Sequence, residues 1–178
     1  MTVTIEGEEE LNRKIQAVQF FLHNDIMDII GVESVNHFKQ SFEDEGFTDS
    51  SLEKWKSRAS KRLTRNEQKT MSDTGELADS IDYKVNGMEL TVYSDKPYAQ
   101  IHNEGGEITV TPKMRSFFIF KHYEAVEAGN DDVADMWLAM FFSDTITVPE
   151  RQYIGESEML NANIMDKIVR QLDIIFKS

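Results

Sequence analysis

The sequence predicts an α+β domain with amphipathic helices at both ends and a small, mostly antiparallel sheet between them. Near the beginning of the chain, apolar residues recur every three or four positions, which is the period of a helix with one buried stripe. They are Leu11, Ile15, Val18, Leu22, Ile26 and Ile29. The same spacing predicts a final helix over about 156–176, with a stripe of Leu160, Ile164, Ile168, Leu172 and Ile175. Between the two, Asn86-Gly87 separates stretches of alternating apolar and polar residues, which is typical of a β-hairpin.

The first helical region continues through Val35, Phe38 and Phe42, and Gly31 lies inside it. Glycine weakens the interior of a helix. We therefore expect either two helices, about 8–30 and 32–44, or one helix that is kinked at Gly31.

Other elements are predicted from shorter patterns. Glu107–Thr111 and Thr145–Val148 alternate in polarity and read as strands, and the apolar run Phe117–Phe120 reads as a buried strand. Residues 121–143 look like an inserted excursion that contains a short helix.

Length and composition predict one domain, 1–178, because 178 residues with 40% hydrophobic side chains can build a single core. The formal net charge of −13 disfavours nucleic acid as a partner unless a local basic patch offsets it. The sequence has no cysteine, which excludes disulfides and fits folding in a reducing cytoplasm. No stretch approaches the roughly 18 apolar residues of a membrane span, so we expect no membrane partner.

One segment reverses the sign of the charge. Glu53–Lys69 contains seven basic and two acidic residues, so it carries +5 and leaves −18 for the remainder of a chain whose total is −13. Residues 47–72 therefore read as a long, mobile basic loop. The loop is either solvated or docks on an acidic surface, such as that of a neighbouring copy, and a DNA contact is a third, less favoured interpretation. The candidate contact residues are Lys54, Lys56, Arg58, Lys61, Arg62 and Arg65.

His102 lies four residues after Tyr98, so their side chains share one face of a helical turn. The histidine either fixes this turn by packing or acts as a base or metal ligand. The sequence offers neither a cysteine nucleophile nor a Gly-x-Ser-x-Gly elbow, and His and carboxylate spacings typical of metal sites are missing. We therefore predict no catalytic residue, no cofactor and no metal.

Three more residues have both a structural and a partner-binding interpretation. Trp137 and Phe141 belong to an apolar cluster in the excursion, where core packing is the default and a partner patch is the alternative. Arg151 is either a surface residue that caps a loop or a buried or interface residue that needs a carboxylate.

Three short motifs follow one another along the chain. The Thr-Gly motif has Thr74, Gly75, Leu77 and Ser80 as its fixed residues. The His-Gly-Gly motif has Tyr98, Ala99, Ile101, His102, Gly105 and Gly106. The Pro-Arg motif has Pro149, Arg151, Tyr153, Ile154 and Gly155. In this order, and preceded by an amphipathic region and by Trp55 with its basic stretch, they resemble the virion-morphogenesis (tail-completion) proteins of tailed bacteriophages over about residues 10–176.

The resemblance implies a structural protein that completes the tail or joins head and tail, without catalysis or a cofactor. It implies a homo-oligomeric ring with other phage neck and tail proteins as partners, assembled in the host bacterial cytoplasm and then part of the virion. A metal-dependent hydrolase using His102 and a nucleic-acid-binding adaptor remain the alternatives. The residues expected to hold structural turns are Thr74, Gly75, Tyr98, His102, Gly105, Gly106 and Pro149. Glu104, Gln152 and the large excursion depart from the family pattern and leave the particular neck or tail component and the ring size open.

Overall fold

The computed structural model describes residues 7–57, 70–72 and 74–177, and it confirms the α+β class. The helices of this part of the chain are α1 (Glu8–Phe20), α2 (Ile26–Asp44), α3 (Glu76–Asp79), α4 (Ala99–Glu104), α5 (Pro112–Glu127), α6 (Asp131–Phe142) and α7 (Glu158–Lys177). The strands are β1 (Gly46–Thr48), β2 (Leu52–Lys54), β3 (Ile81–Asn86), β4 (Glu89–Ser94), β5 (Gly106–Thr109) and β6 (Thr145–Val148). They form three antiparallel two-stranded ribbons, β1–β2, β3–β4 and β5–β6, where the sequence suggested one small sheet.

A π-helical turn, Phe21–Asp25, joins α1 to α2, so the first helical region is continuous. The predicted break into two helices at Gly31 is wrong, because Gly31 lies buried inside α2. A Cβ atom at this position would lie 2.3 Å from the ring of Tyr83 on β3. The glycine therefore serves the close packing of the hairpin on α2 and does not end the helix.

The core lies where α2, α7 and the β3–β4 hairpin meet. Its buried residues are Phe38, Phe42, Phe47, Leu77, Ile81, Tyr153, Leu160 and Ile164. The ring of Phe42 lies 5.0 Å from that of Tyr153 and 5.6 Å from that of Trp55, measured between centroids. Burial of each such aromatic side chain stabilises the fold by about 1.5–3 kcal/mol.

The hairpin predicted at Asn86-Gly87 forms, with Asn86 paired to Glu89 and the turn centred on Gly87 and Met88. Gly87 has φ 63°, a conformation that glycine adopts without steric cost. The turn therefore lies one residue later than the sequence pattern suggested.

The predicted strand at Phe117–Phe120 is wrong, because these residues lie inside α5. The side chain of Thr111 caps this helix by accepting a hydrogen bond from the backbone N–H of Met114 at 3.3 Å, and Pro112 occupies its first turn. These start signals outweigh a short apolar run, which fits a buried strand and a helix equally well. The α5–α6 hairpin, residues 112–142, forms an arm between β5 and β6, and it begins before the excursion predicted at 121–143.

Candidate functional site

The His-Gly-Gly and Pro-Arg motifs meet in space. α4 lies beside residues 151–154, and the backbone N–H of Arg151 donates a hydrogen bond to the carbonyl of His102 at 3.0 Å. Residues 149–153 form neither helix nor strand, so their backbone groups depend on such contacts. We call this contact region the α4 junction.

Asn103 makes most of the polar contacts at the α4 junction. Its Oδ1 accepts hydrogen bonds from the backbone N–H groups of Tyr153 and Ile154, both at 2.9 Å, and its Nδ2 donates to the carbonyl of Ile154 at 3.2 Å. The sequence analysis did not select Asn103, since it occupies a variable position of the motif. A side-chain amide can serve both a donor and an acceptor of a passing backbone, and that is its role here.

Gly105 lets the two segments approach each other. Its φ is 70°, and a Cβ atom would lie 2.7 Å from the backbone nitrogen of Glu150. Gly106 begins β5 and pairs with Val148, directly before Pro149. Both glycines and the proline thus lie where the motifs meet, and the glycine at 105 is required by conformation and by space.

Tyr153 connects the α4 junction to the hydrophobic core. Only 1% of its surface is exposed, and its hydroxyl donates to the carbonyl of Ala99 at 3.0 Å. Burial, with a smaller contribution from Tyr98, raises the pKa of Tyr153 to about 12. The phenol is therefore a neutral structural donor at physiological pH.

His102 packs against Tyr98, with the rings edge to face and their centroids 5.8 Å apart. Burial lowers the pKa of His102, and the positive charge of Arg151 lowers it further. Its Nδ1 is buried and has no hydrogen-bond partner among the described residues. An open depression of about 380 Å³ lies beside α4, and its lining includes Asn103 and Tyr153 but not His102.

Arg151 lies in the interior of the chain, with 9% of its surface exposed. Its guanidinium donates to the carbonyl of Lys56 at 3.4 Å. Arg151 is therefore not a surface residue that caps a loop, which was one of its two interpretations. In the single chain, Arg151 links the α4 junction to the segment that follows β2.

The Thr-Gly motif introduces the β3–β4 hairpin. The hydroxyl of Thr74 accepts a hydrogen bond from the N–H of Glu76 at 3.4 Å, and Gly75 has φ 78°. Leu77 is buried in the core, while the hydroxyl groups of Ser80 and Ser94 lie 2.7 Å apart and join the two ends of the hairpin.

Of the basic contact residues predicted from the sequence, Lys54 and Lys56 are exposed, and Arg58, Lys61, Arg62 and Arg65 lie outside the described residues. The described residues on either side are held together. The backbone N–H of Trp55 donates to the carbonyl of Glu45 at 2.8 Å, and that of Thr70 donates to the Glu45 carboxylate. The indole of Trp55 also donates to the carbonyl of Gln152 at 2.7 Å, so the basic segment starts at the α4 junction.

The aromatic cluster of the excursion is divided between an interior and a surface. Trp137 stacks on buried Phe118, with 5.8 Å between ring centroids, and thus holds α5 and α6 together. The ring of Phe141 lies 5.0 Å from that of Phe142, which is exposed. Packing within the arm accounts for Trp137, whereas Phe141 borders the exposed side.

The residues of the His-Gly-Gly and Pro-Arg motifs thus hold chain segments together through backbone hydrogen bonds and close packing. Residues 22–173 match the model of the phage virion morphogenesis family, and the chain belongs to this family. No curated protein and no solved structure matches the chain. Membership associates the protein with the assembly of the phage virion and favours a structural role.

Two searches of the described residues bear on other classes of function. None of the helices described is long and apolar enough to span a bilayer. In the same part of the chain, no group of three or more His, Asp or Glu side chains is arranged to hold a metal ion.

Replacing Asn103 by alanine is expected to lower the free energy of unfolding by about 2–3 kcal/mol, because two backbone N–H groups lose their acceptor. Urea denaturation monitored by tryptophan fluorescence measures the change. Gln100→Ala is the matched control, since this exposed side chain of the same helix hydrogen-bonds to Glu104 at the surface and its loss should shift stability by less than about 0.5 kcal/mol. Equal effects of the two substitutions would contradict the assigned role of Asn103.

The lowered pKa of His102 predicts a loss of stability in acid. The unfolded chain binds a proton near pH 6.5, whereas the folded chain binds one only at lower pH. The stability due to neutral His102 is therefore complete above that value and declines as the pH falls from it towards the folded-state pKa. His102→Gln should lose less stability than the unmodified protein between about pH 7.5 and about pH 5 in denaturant titrations. His23→Gln, at an exposed histidine, serves as the control and should keep the original pH dependence.

Proposed function

We propose that this protein completes the phage tail or joins it to the head, as a structural component that catalyses no reaction and binds no cofactor. In this proposal it forms a homo-oligomeric ring and contacts other neck and tail proteins of the phage. It assembles in the host bacterial cytoplasm and remains in the virion. The match to the virion morphogenesis family over residues 22–173 is the observation that carries the proposal.

The contacts of the residues in and beside the motifs support the proposal. Asn103, Gly105 and Tyr153 are occupied with contacts inside the subunit. A catalytic role would require such groups to face a substrate. The arm and the basic segment are candidate surfaces for partners in this proposal, and a closed ring needs two different, complementary surfaces on each subunit.

Separation of charge supports the ring in particular. Glu53–Lys69 carries +5 and the remainder of the chain −18, so the basic segment of one copy is complementary to much of the surface of another. In the ring, the basic segment docks on the acidic surface of the neighbouring subunit. Trp55 and Thr70, which lie on either side of residues 58–69 in the sequence, both donate backbone hydrogen bonds to Glu45.

The role in the virion is tested in a phage that carries this gene. Inactivation of the gene should give separate heads and tails in the lysate, seen by electron microscopy, and a copy supplied in trans should restore joined particles. Mass spectrometry of purified virions should detect the chain. Normal yields of infectious particles without the gene, or virions that lack the protein, would rule out the proposed role.

The docking of the basic segment is tested by reversing Lys61, Arg62 and Arg65 to glutamate. The expected result is a smaller oligomer in light scattering, because the interface would then bring together charges of the same sign. Reversal of Lys39, Lys84 and Lys96 adds the same negative charge elsewhere and should leave the oligomer size unchanged. An unchanged size in the first variant refutes the docking of this segment.

A further inference from the structure

The tip of the β3–β4 hairpin brings together the two groups of an intramolecular reaction. Asn86 is the last residue of β3, and Gly87 is the first residue of the turn that follows. Residues 86–89 are all exposed, and Met88 among them has 81% of its surface in solvent. The carboxamide of Asn86 and the backbone nitrogen of Gly87 therefore both lie where water reaches them.

Both groups are free of hydrogen bonds within the described part of the chain. Neither the side chain of Asn86 nor the N–H of Gly87 has a partner there. In a two-residue hairpin the ladder ends at the pair of Asn86 and Glu89, so the N–H of Gly87 lies outside it. The carboxamide can thus rotate about its side-chain bonds, and the nitrogen gives up no bond when it reacts.

Glycine at position 87 leaves the approach to its nitrogen open. A Cβ atom at this position would meet no other atom within 4 Å, and the φ of 63° is a conformation that glycine adopts without steric cost. Because Gly87 carries no side chain, nothing on the residue itself shields its nitrogen from Cγ of Asn86. Every other asparagine of the sequence precedes a residue that has a side chain, so Asn86 belongs to the single Asn-Gly pair.

We infer that Asn86 is a site of spontaneous deamidation. The nitrogen of Gly87 loses its proton to hydroxide and attacks Cγ of Asn86, which forms a new C–N bond and closes a succinimide ring. The bond between Cγ and the side-chain nitrogen of Asn86 breaks, and that nitrogen leaves as ammonia. Water then opens the ring at one of its two carbonyl groups and gives aspartate or isoaspartate. The reaction consumes only water, so it needs no enzyme, metal ion or oxidant.

The position of the pair at the end of a ladder favours the reaction. The reacting nitrogen and Cγ belong to adjacent residues, so the nucleophile is held close to its target. Closure of the ring requires the backbone at Asn86 to leave its extended conformation, which breaks only the last pair of the ladder. Opening at the end of an element costs little free energy, and the pairs from Ile81 to Val85 stay in place.

Both products change the tip of the hairpin. Residue 86 lies directly opposite Glu89, so either product places a second carboxylate across the end of the ladder, where like charges repel each other. Isoaspartate also routes the main chain through its side-chain carbon, which lengthens the backbone by a methylene group and disturbs the register of this last pair. The modification depends on the hairpin alone and is independent of the proposed role in the virion.

Peptide mapping of the purified chain by mass spectrometry tests the inference. After incubation of the folded chain at mildly alkaline pH, residue 86 should carry a carboxyl group in place of its amide, in two isomeric forms. Asn161 is the internal control, since it is exposed on α7, precedes Ala162 and should stay unmodified in the same sample. The rate at Asn86 should rise with hydroxide concentration, because the attacking nitrogen must lose its proton.

Two variants separate the contribution of the turn from that of the residue pair. Asn86→Gln should abolish modification at this position, because glutamine would have to close a larger ring. Ala162→Gly makes a second Asn-Gly pair inside α7, where the N–H of position 162 is bonded within the helix. Asn161 of this variant should therefore react more slowly than Asn86 of the same molecule. Circular dichroism establishes that both variants keep the fold.

The inference is overturned if Asn86 stays unmodified in the folded chain while the same chain, unfolded in urea, reacts, since the hairpin would then protect the pair. It is also overturned if Asn86 reacts in neither state. Equal rates at Asn86 and at Asn161 of Ala162→Gly would likewise overturn it, because the turn would then contribute nothing.

Discussion

The carboxamide of Asn103 makes three hydrogen bonds to Tyr153 and Ile154, in a segment with no secondary structure of its own. This segment leads from β6 to α7, and the position of Tyr153 within it brings a fully buried ring into the core. Because an irregular buried backbone needs partners for its N–H and C=O groups, the path of the chain depends on that amide. The close approach at Gly105 and the hydroxyl of Tyr153 complete the same junction.

The most distinctive residues of the chain are engaged in contacts at this junction. His102, Gly105 and Arg151 are used to connect α4 with the segments around it. In the proposed role, the contacts with other subunits are made by parts of the chain outside this junction. In that role, function thus resides in surfaces outside the junction, as it does on many other folds.

The distribution of charge disfavours attraction of nucleic acid and is compatible with the proposed association of like chains. A net charge of −13 opposes approach to phosphates, whereas a local charge of +5 in Glu53–Lys69 is attracted to the rest of a second chain. In the proposed ring, long-range attraction of this kind orients the subunits before they come into contact.

The sequence alone determined the elements whose pattern is local. The period of the apolar residues predicted a helix at each end of the domain, and α7 is observed at 158–177 where the sequence predicted 156–176. Asn86-Gly87 predicted the hairpin, whose turn lies one residue further on. Tertiary structure decided the rest. The run Phe117–Phe120 is helical because its start signals and its packing on α6 outweigh its composition, and Gly31 is needed by a ring 52 positions away in the chain. Asn103 could not be selected from the sequence, since its partners lie 50 and 51 residues further on and only folding brings them within hydrogen-bond distance.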